Sequence, residues 1–115
     1  MIRNYQVAAF LRERTTPWQR IYVWGTEPDI YVLADRLPIG RLTTSFHVED
    51  LDEYERLGRE LVLQPPEYVI WMTNEPRSFG QLENLLMARY TLVAHFDEAI
   101  IYRLSSEMRG WVVYN

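Results

Sequence analysis

Apolar positions follow two rhythms along this chain, one spaced as on a helix face and one contiguous as in a buried strand. Val7, Ala8, Phe10 and Leu11 form a stripe of the first kind. A helix is therefore expected over residues 3–14, with Arg12 and Arg14 in its last turn, where cations suit the dipole. Thr15-Thr16-Pro17 breaks it. Ile21-Tyr22-Val23-Trp24 is a β-branched and aromatic run that reads as a buried strand, stopped by Gly25. A second helix follows, with Thr26 as its cap, Asp29 in capping-box position and Pro28 in the first turn, where a missing N–H costs nothing. Ile30, Leu33 and Ala34 are its apolar stripe. Asp35-Arg36-Leu37-Pro38 ends it, because the residue before a proline is pushed out of the α region.

Residues 41–46 read as a short second strand with Leu42 and Phe46 on one face. Asp50, with Glu53 three residues on, is expected to open a third helix carrying Leu51, Tyr54, Leu57 and Leu61, which Gln64-Pro65-Pro66 ends. Within it Gly58 is unfavourable by about 1 kcal/mol against alanine, unless it marks close packing. Residues 67–72 form the clearest buried strand, without polar alternation, so both faces should be covered. Ser78, with Gln81, is expected to cap a fourth helix along Leu82, Leu85 and Leu86. Residues 91–96 and Ala99–Leu104 flank Asp97-Glu98 at hairpin spacing, and 111–114 reads as a last strand.

The order is α-β-α-β-α-β-α-β-β. Strands alternating with helices imply a single three-layer α/β/α domain over residues 1–115, with a mixed, mostly parallel sheet and a C-terminal hairpin. Ile21–Trp24 and Tyr68–Met72 are expected as its central strands. No internal repeat or linker interrupts the pattern.

Composition narrows the chemistry. The 115 residues suffice for one domain with a real core. Apolar residues at 48% and charged residues at 24% are globular values. The net charge is −4 and no basic face stands out in the sequence, which argues against a nucleic-acid partner. All twelve basic residues are arginine, which removes Schiff-base and P-loop lysine chemistry. The absence of cysteine removes disulfides, thiol catalysis and Cys-ligated zinc. No apolar run is long enough to span a bilayer, and the start carries no signal-peptide pattern.

A dinucleotide fold would need glycines and bare N–H groups after the first strand, where this chain has Gly25-Thr26-Glu27-Pro28-Asp29; the two acids would repel a phosphate. A phosphoacceptor domain would need an acidic pair and a lysine. His47, Glu49 and Asp50 lack a recognised zinc spacing, and Asp50 is wanted as a cap. No serine lies in a nucleophile elbow. Glu27 and Asp29 can be read as an acid–base pair, but carboxylates in a first helical turn more simply stabilise the dipole. Asp35, Arg36 and Arg41 flank a sharp exit and read as a local ion-pair network. Trp24 and Trp71 belong in strands and so in the core, whereas Trp18 and Trp111 lie near loops. Catalytic, cofactor-binding and metal residues are thus not assigned. The interaction or structural cluster to inspect is Trp24, Glu27, Asp29, Asp35, Arg36 and Arg41.

Several pieces also carry a family likeness. They are the first helix, Thr16-Pro17 before Arg20-Ile21-Tyr22-Val23-Trp24-Gly25, then Pro28, Ile30-Tyr31, Leu33-Ala34-Asp35-Arg36, Pro38 and Arg41. Pro65-Pro66 before Tyr68-Val69-Ile70, the strand from Tyr90 to Phe96 and Ile101-Tyr102-Arg103 complete them. Together they resemble the C-terminal domain of bacterial GT-C membrane glycosyltransferases, the group of the dolichyl-phosphate-mannose–protein mannosyltransferases and lipid A aminoarabinose transferases. The resemblance implies a small extracytoplasmic domain at the end of a many-pass parent enzyme on the bacterial cell membrane. That parent would move sugar from a polyprenyl-phosphate carrier to a glycan, lipid or protein acceptor. The family's catalytic carboxylate lies in its transmembrane part, and no position here matches that motif. The implied role is non-catalytic: packing on the parent's transmembrane domain and shaping acceptor access, with no transferase activity in this chain alone. The alternative is a free-standing soluble α/β module that binds a small ligand or a protein.

Overall fold

A computed structural model describes residues 2–105. Its elements are α1 (Ile2–Arg14), β1 (Ile21–Trp24), α2 (Asp29–Ala34), α3 (Ser45–Asp50), α4 (Tyr54–Leu63), β2 (Tyr68–Met72), α5 (Gly80–Arg89), β3 (Tyr90–Phe96) and β4 (Ala99–Leu104). The strands form one sheet in the order β1-β2-β4-β3. β1 and β2 run parallel, with Ile21 opposite Tyr68 and Trp24 opposite Trp71. β4 folds back from β3 and inserts beside β2, so both of its pairings are antiparallel.

Successive strand residues point to opposite faces, and each face is covered. Ile21 and Val23 of β1, Tyr68, Ile70 and Met72 of β2, and Ala99 and Ile101 of β4 pack with Val7, Ala8 and Leu11 of α1 and Ile30, Tyr31 and Ala34 of α2. Tyr22, Trp24 and Val69 face the other way, onto Val48 of α3, Leu57 and Leu61 of α4, and Leu82, Leu85 and Leu86 of α5. This is the expected three-layer α/β/α domain with a mixed sheet and a hairpin. The balance within the sheet differs from a mostly parallel one: one of the three pairings is parallel. The reason is local, since a two-residue turn at Asp97-Glu98 leaves no length for a parallel crossover.

β2 is an inner strand, as expected, but β1 lies at the sheet's edge. It is nevertheless buried along its whole length. Its outward N–H groups are taken up within the domain. The Ile21 amide donates to the Leu37 carbonyl at 3.2 Å. The Val23 amide donates to the Tyr31 hydroxyl at 2.8 Å. The edge is therefore covered by α2 and the loop after it, one of the ways proteins prevent edge-to-edge pairing.

Other expectations are corrected. Residues 41–44 are not a strand, and Ser45 opens α3 instead, its amide bonded to the Gly25 carbonyl at 2.9 Å. That bond straps the segment across the end of β1, where no strand neighbour is needed. Asp50 ends α3 rather than opening a helix. Asp52 then takes a left-handed conformation with φ 54°, which separates α3 from α4. Neither Thr26 nor Ser78 caps: Pro28 and Phe79 hold the N-cap positions of α2 and α5, without side-chain cap bonds. Gly58 does mark close packing, since a Cβ there would sit 3.1 Å from the Gln81 side chain on α5. The expected strand at 111–114 lies outside the described residues.

Two substitutions test the covered edge. Gly25 ends β1 where an added Cβ would meet Met72 Cγ at 2.6 Å. Gly25→Ala is expected to cost about 1–3 kcal/mol through overpacking. Tyr31→Phe strands the Val23 amide inside the protein and is expected to cost about 1–3 kcal/mol. Urea unfolding of each variant measures both, and a Tyr31→Phe protein as stable as the parent would show that the edge amide needs no partner.

Candidate functional site

α1, α2, α4 and α5 run opposite to β1 and β2, so the domain has two distinct ends. At the end where β1 and β2 finish, two polar clusters form, one on each face of the sheet.

The first joins α1 to the start of α2. Asn4 occupies the buried stripe of α1, in register with Val7, Ala8 and Leu11. Its Nδ2 donates to Glu27 Oε1 and to Asp29 Oδ2, both at 2.8 Å. Its Oδ1 accepts from Arg3 Nε at 2.9 Å. Arg3 also pairs with Glu27 at 3.1 Å and with Glu98, in the β3–β4 turn, at 2.7 Å. Glu27 and Asp29 are thus brought together, as the sequence allowed, but as acceptors of one buried amide. Both carboxylates are tied to α1 and the arrangement is a clasp.

The second cluster lies beyond β2. The Glu75 carboxylate, 3% exposed, accepts from Ser45 Oγ at 2.5 Å, from the Arg77 backbone N–H at 2.9 Å and from its guanidinium at 3.2 Å. Arg77 also pairs with Glu49 at 2.9 Å. These two carboxylates hold the Arg77 proton more tightly than usual, with Glu49 the larger influence. Trp24 donates from Nε1 to the Arg77 carbonyl at 3.1 Å and packs against Phe79 at 4.8 Å between ring centroids. Tyr54 leans on both rings, and its hydroxyl titrates higher than normal, chiefly through partial desolvation and then through Glu49. Ser45 beside Glu75 has the makings of a nucleophile and base, but Ser45 is 1% exposed, so no substrate atom can reach it.

The remaining candidates lie elsewhere. Asp35 sits at the far end of α2 in a left-handed C-cap position with φ 57°. Arg36 is buried and reaches α1: its Nε donates to Thr15 Oγ1 at 2.8 Å and its Nη2 to the Thr15 carbonyl at 3.0 Å. Its Nη1 donates to the Ala34 and Asp35 carbonyls. Arg41 pairs with Glu53 at 3.6 Å on the opposite face. The proposed network of Asp35, Arg36 and Arg41 is therefore corrected to separate contacts, because the backbone turn carries Arg36 inward and Arg41 toward α4. His47 bonds Thr44 through Nδ1 at 3.0 Å, and His95 lies exposed on β3. Among the described residues, no group of three or more histidine and acidic side chains is placed to hold a metal ion.

Asn4, Glu75 and Arg77 escaped sequence reasoning. Asn4 left a signal, a polar residue in register with an apolar helical stripe. Glu75 and Arg77 left none, since their partners come from distant segments. Trp71 is also corrected: it is half-buried, and with Tyr102 it lies in an open groove of about 470 Å³ walled by Glu83, Leu86, Met87 and Tyr90.

No protein-family model matches the chain, and no curated protein matches it in sequence. Its fold is similar to a solved structure, the C-terminal globular domain of an oligosaccharyltransferase from Archaeoglobus fulgidus. The superposition has a TM-score of 0.53 at 9% identity and covers 87% of this chain and 95% of that domain. At that identity the likeness is one of fold.

Two measurements probe the clasps. Arg36→Ala removes bonds from buried carbonyls and is expected to cost about 2 kcal/mol in urea, whereas Asp35→Asn, which keeps a side chain tolerated in the left-handed C-cap, should cost much less. Equal losses would return the role to Asp35. The second is pH. The Glu98 carboxyl is held below its ordinary value of 4.5 by its own backbone N–H and then by Arg3. A carboxyl depressed on folding contributes fully above its unfolded value and loses that contribution as pH falls through its folded value. Thermal stability should therefore fall below pH about 4.5, and less steeply in Glu98→Gln. Superimposable pH curves for the two proteins would remove Glu98 from this role.

Proposed function

We propose that this chain is a non-catalytic extracytoplasmic domain of a membrane glycosyltransferase that uses a polyprenyl-phosphate sugar. The observation that carries the reading is the fold match to an oligosaccharyltransferase's C-terminal globular domain, which spans nearly all of both chains. It agrees in kind with the family likeness of the sequence, which was drawn from different features. The arrangement of polar groups supports it as well. Glu27, Asp29 and Glu75 are each engaged by donors from other elements, as in struts, and Ser45 is enclosed. Among the described residues no helix is long and apolar enough to cross a membrane. In this reading the transmembrane part belongs to the same parent, on which the domain packs, and the parent supplies donor binding and catalysis. The domain's contribution is stability and the shape of the approach for a glycan, lipid or protein acceptor. Mannosyl transfer is the reaction type that the resemblance favours.

A second reading, a free-standing module that binds a small ligand or a protein, is favoured by one feature. The groove floored by Trp71 and Tyr102 offers aromatic surface beside the Glu83 carboxylate, the combination that stacks on and hydrogen-bonds a sugar or peptide.

One experiment separates the readings and a second tests the non-catalytic assignment. The reading frame upstream of Met1 is expected to encode several long hydrophobic helices; a stop codon directly before Met1 would favour the free-standing module. The purified chain, incubated with a polyprenyl-phosphate sugar and peptide or glycan acceptors, is expected to give no transfer, and calorimetry with nucleotide sugars no binding. Turnover by the isolated chain would overturn the non-catalytic assignment.

A further inference from the structure

The end of the domain opposite the two clasps carries exposed apolar side chains together with arginines. It is built from the segments entering β1 and β2 and leaving α1, α2, α4 and α5. These lie together because β1 and β2 are parallel, and the Glu67 amide donates to the Arg20 carbonyl across their starts at 3.0 Å. Three large apolar side chains project from it: Trp18 is 79% exposed, Leu37 61% and Leu63 78%. Trp18 and Leu37 sit in loops, next to Pro17 and Pro38, and Leu63 is the last residue of α4. The Arg20 guanidinium is anchored on the Pro38 carbonyl at 2.8 Å, which keeps a charge between the Trp18 and Leu37 segments.

Arginines ring this end. Arg14 closes α1, Arg89 closes α5, and Arg103 stands at the start of β2. Arg14 and Arg103 share an open groove of about 350 Å³ with Phe10, Tyr68 and Val93. Arg14 lies 3.9 Å over the Phe10 ring. Among the described residues at this end, Glu13 pairs with Arg14 at 3.3 Å and Glu67 faces Arg103 at 4.0 Å, while Asp35 is the C-cap of α2. Glu27, Asp29, Glu49, Glu75 and Glu98 all lie at the other end. A chain of net charge −4 thus presents a basic, aromatic pole and an acidic one.

We infer that the Trp18–Leu37–Leu63 pole is a docking surface for an anionic lipid bilayer. The charge is complementary to phosphate headgroups, and the groove between Arg14 and Arg103 offers two guanidinium groups to one of them. Trp18 is the side chain suited to the headgroup level, apolar in its ring and polar at its N–H. Leu37 and Leu63 enter the acyl boundary beside it, and the arginines lie along the interface with their stems on apolar surface. The acidic pole is repelled, so the orientation is fixed, with β1 and β2 pointing away from the membrane. The inference rests on this surface and holds whether or not the chain belongs to a glycosyltransferase.

The test is co-sedimentation of the full chain with vesicles of phosphatidylcholine containing one third phosphatidylglycerol, beside pure phosphatidylcholine. Binding to the anionic vesicles is expected to exceed binding to neutral ones by tenfold or more. It should collapse when ionic strength rises from about 0.1 to about 1 M, as the screening length shrinks from about 10 to about 3 Å. Each arginine near such a surface is worth about fivefold, so Arg14→Gln with Arg103→Gln should weaken binding about 25-fold. Trp18→Ala should weaken it about tenfold. Arg41→Gln with Arg56→Gln removes the same charge from the Glu53 pairs near the other end and should leave binding within about twofold. Equal binding to neutral vesicles, salt-independent binding by the unaltered chain, or equal losses in the two double variants would overturn the inference. So would release by inorganic phosphate beyond that caused by sodium chloride of equal ionic strength, which would mark a soluble-anion site instead.

Discussion

The parallel pairing of β1 with β2 is the constraint on which the rest of this domain depends. Parallel strands cannot be joined by a tight turn, so the chain between Trp24 and Tyr68 must travel the full height of the sheet and return. It does so through α2, α3 and α4, and in returning it covers both faces and closes the edge of β1. Because the pair is buried on both sides, every side chain from Ile21 to Trp24 has a packing partner. An edge strand in this position would otherwise expose amides; here a tyrosine hydroxyl and a loop carbonyl accept them.

The same geometry segregates the charge. Helices that run back against two parallel strands place their N-termini at the strands' finishing end and their C-termini at the starting end. Asp29, Glu55 and Glu83 stand in the first turns of α2, α4 and α5, and Arg12, Arg14 and Arg89 in the last turns of α1 and α5, the preference set by the helix dipole. The outcome is an acidic end held by two clasps and a basic end carrying exposed aromatic and aliphatic side chains. The clasps illustrate how buried polar groups serve specificity. Asn4 and Glu75 each bind groups from other segments, and a misplaced helix would leave them without partners inside the protein.

Hydrogen-bond satisfaction also bears on function. An acid–base catalyst needs a carboxylate with a free lone pair facing a space that a substrate can enter. Glu27 is instead engaged by Asn4 and Arg3, Asp29 by Asn4, and Glu75 by Ser45 and Arg77, while the open groove beside α5 is floored by aromatic rings.

The hydrophobic pattern by itself determined α1, β1 and β2, the span of α5, and the terminal hairpin. It did so because burial on one stripe or on both strand faces leaves a period that local sequence records. The pairing Asp97-Glu98 sufficed for the hairpin because its partners are adjacent in the chain. Tertiary structure decided the rest. Residues 41–46 carry a strand-like composition, yet the Ser45 amide finds Gly25 and a helix starts. Asp50 looks like a cap, yet the left-handed turn at Asp52 places it at a helix end. Arg36 reads as one member of an ion-pair network, yet its partners are the hydroxyl and carbonyl of Thr15. Trp24 and Trp71 look alike in sequence, yet α5 and Phe79 cover the first, and the second is left in a groove. For Ser45, Arg36 and Trp24 the deciding partner lies far away in sequence, so the local pattern holds no trace of it.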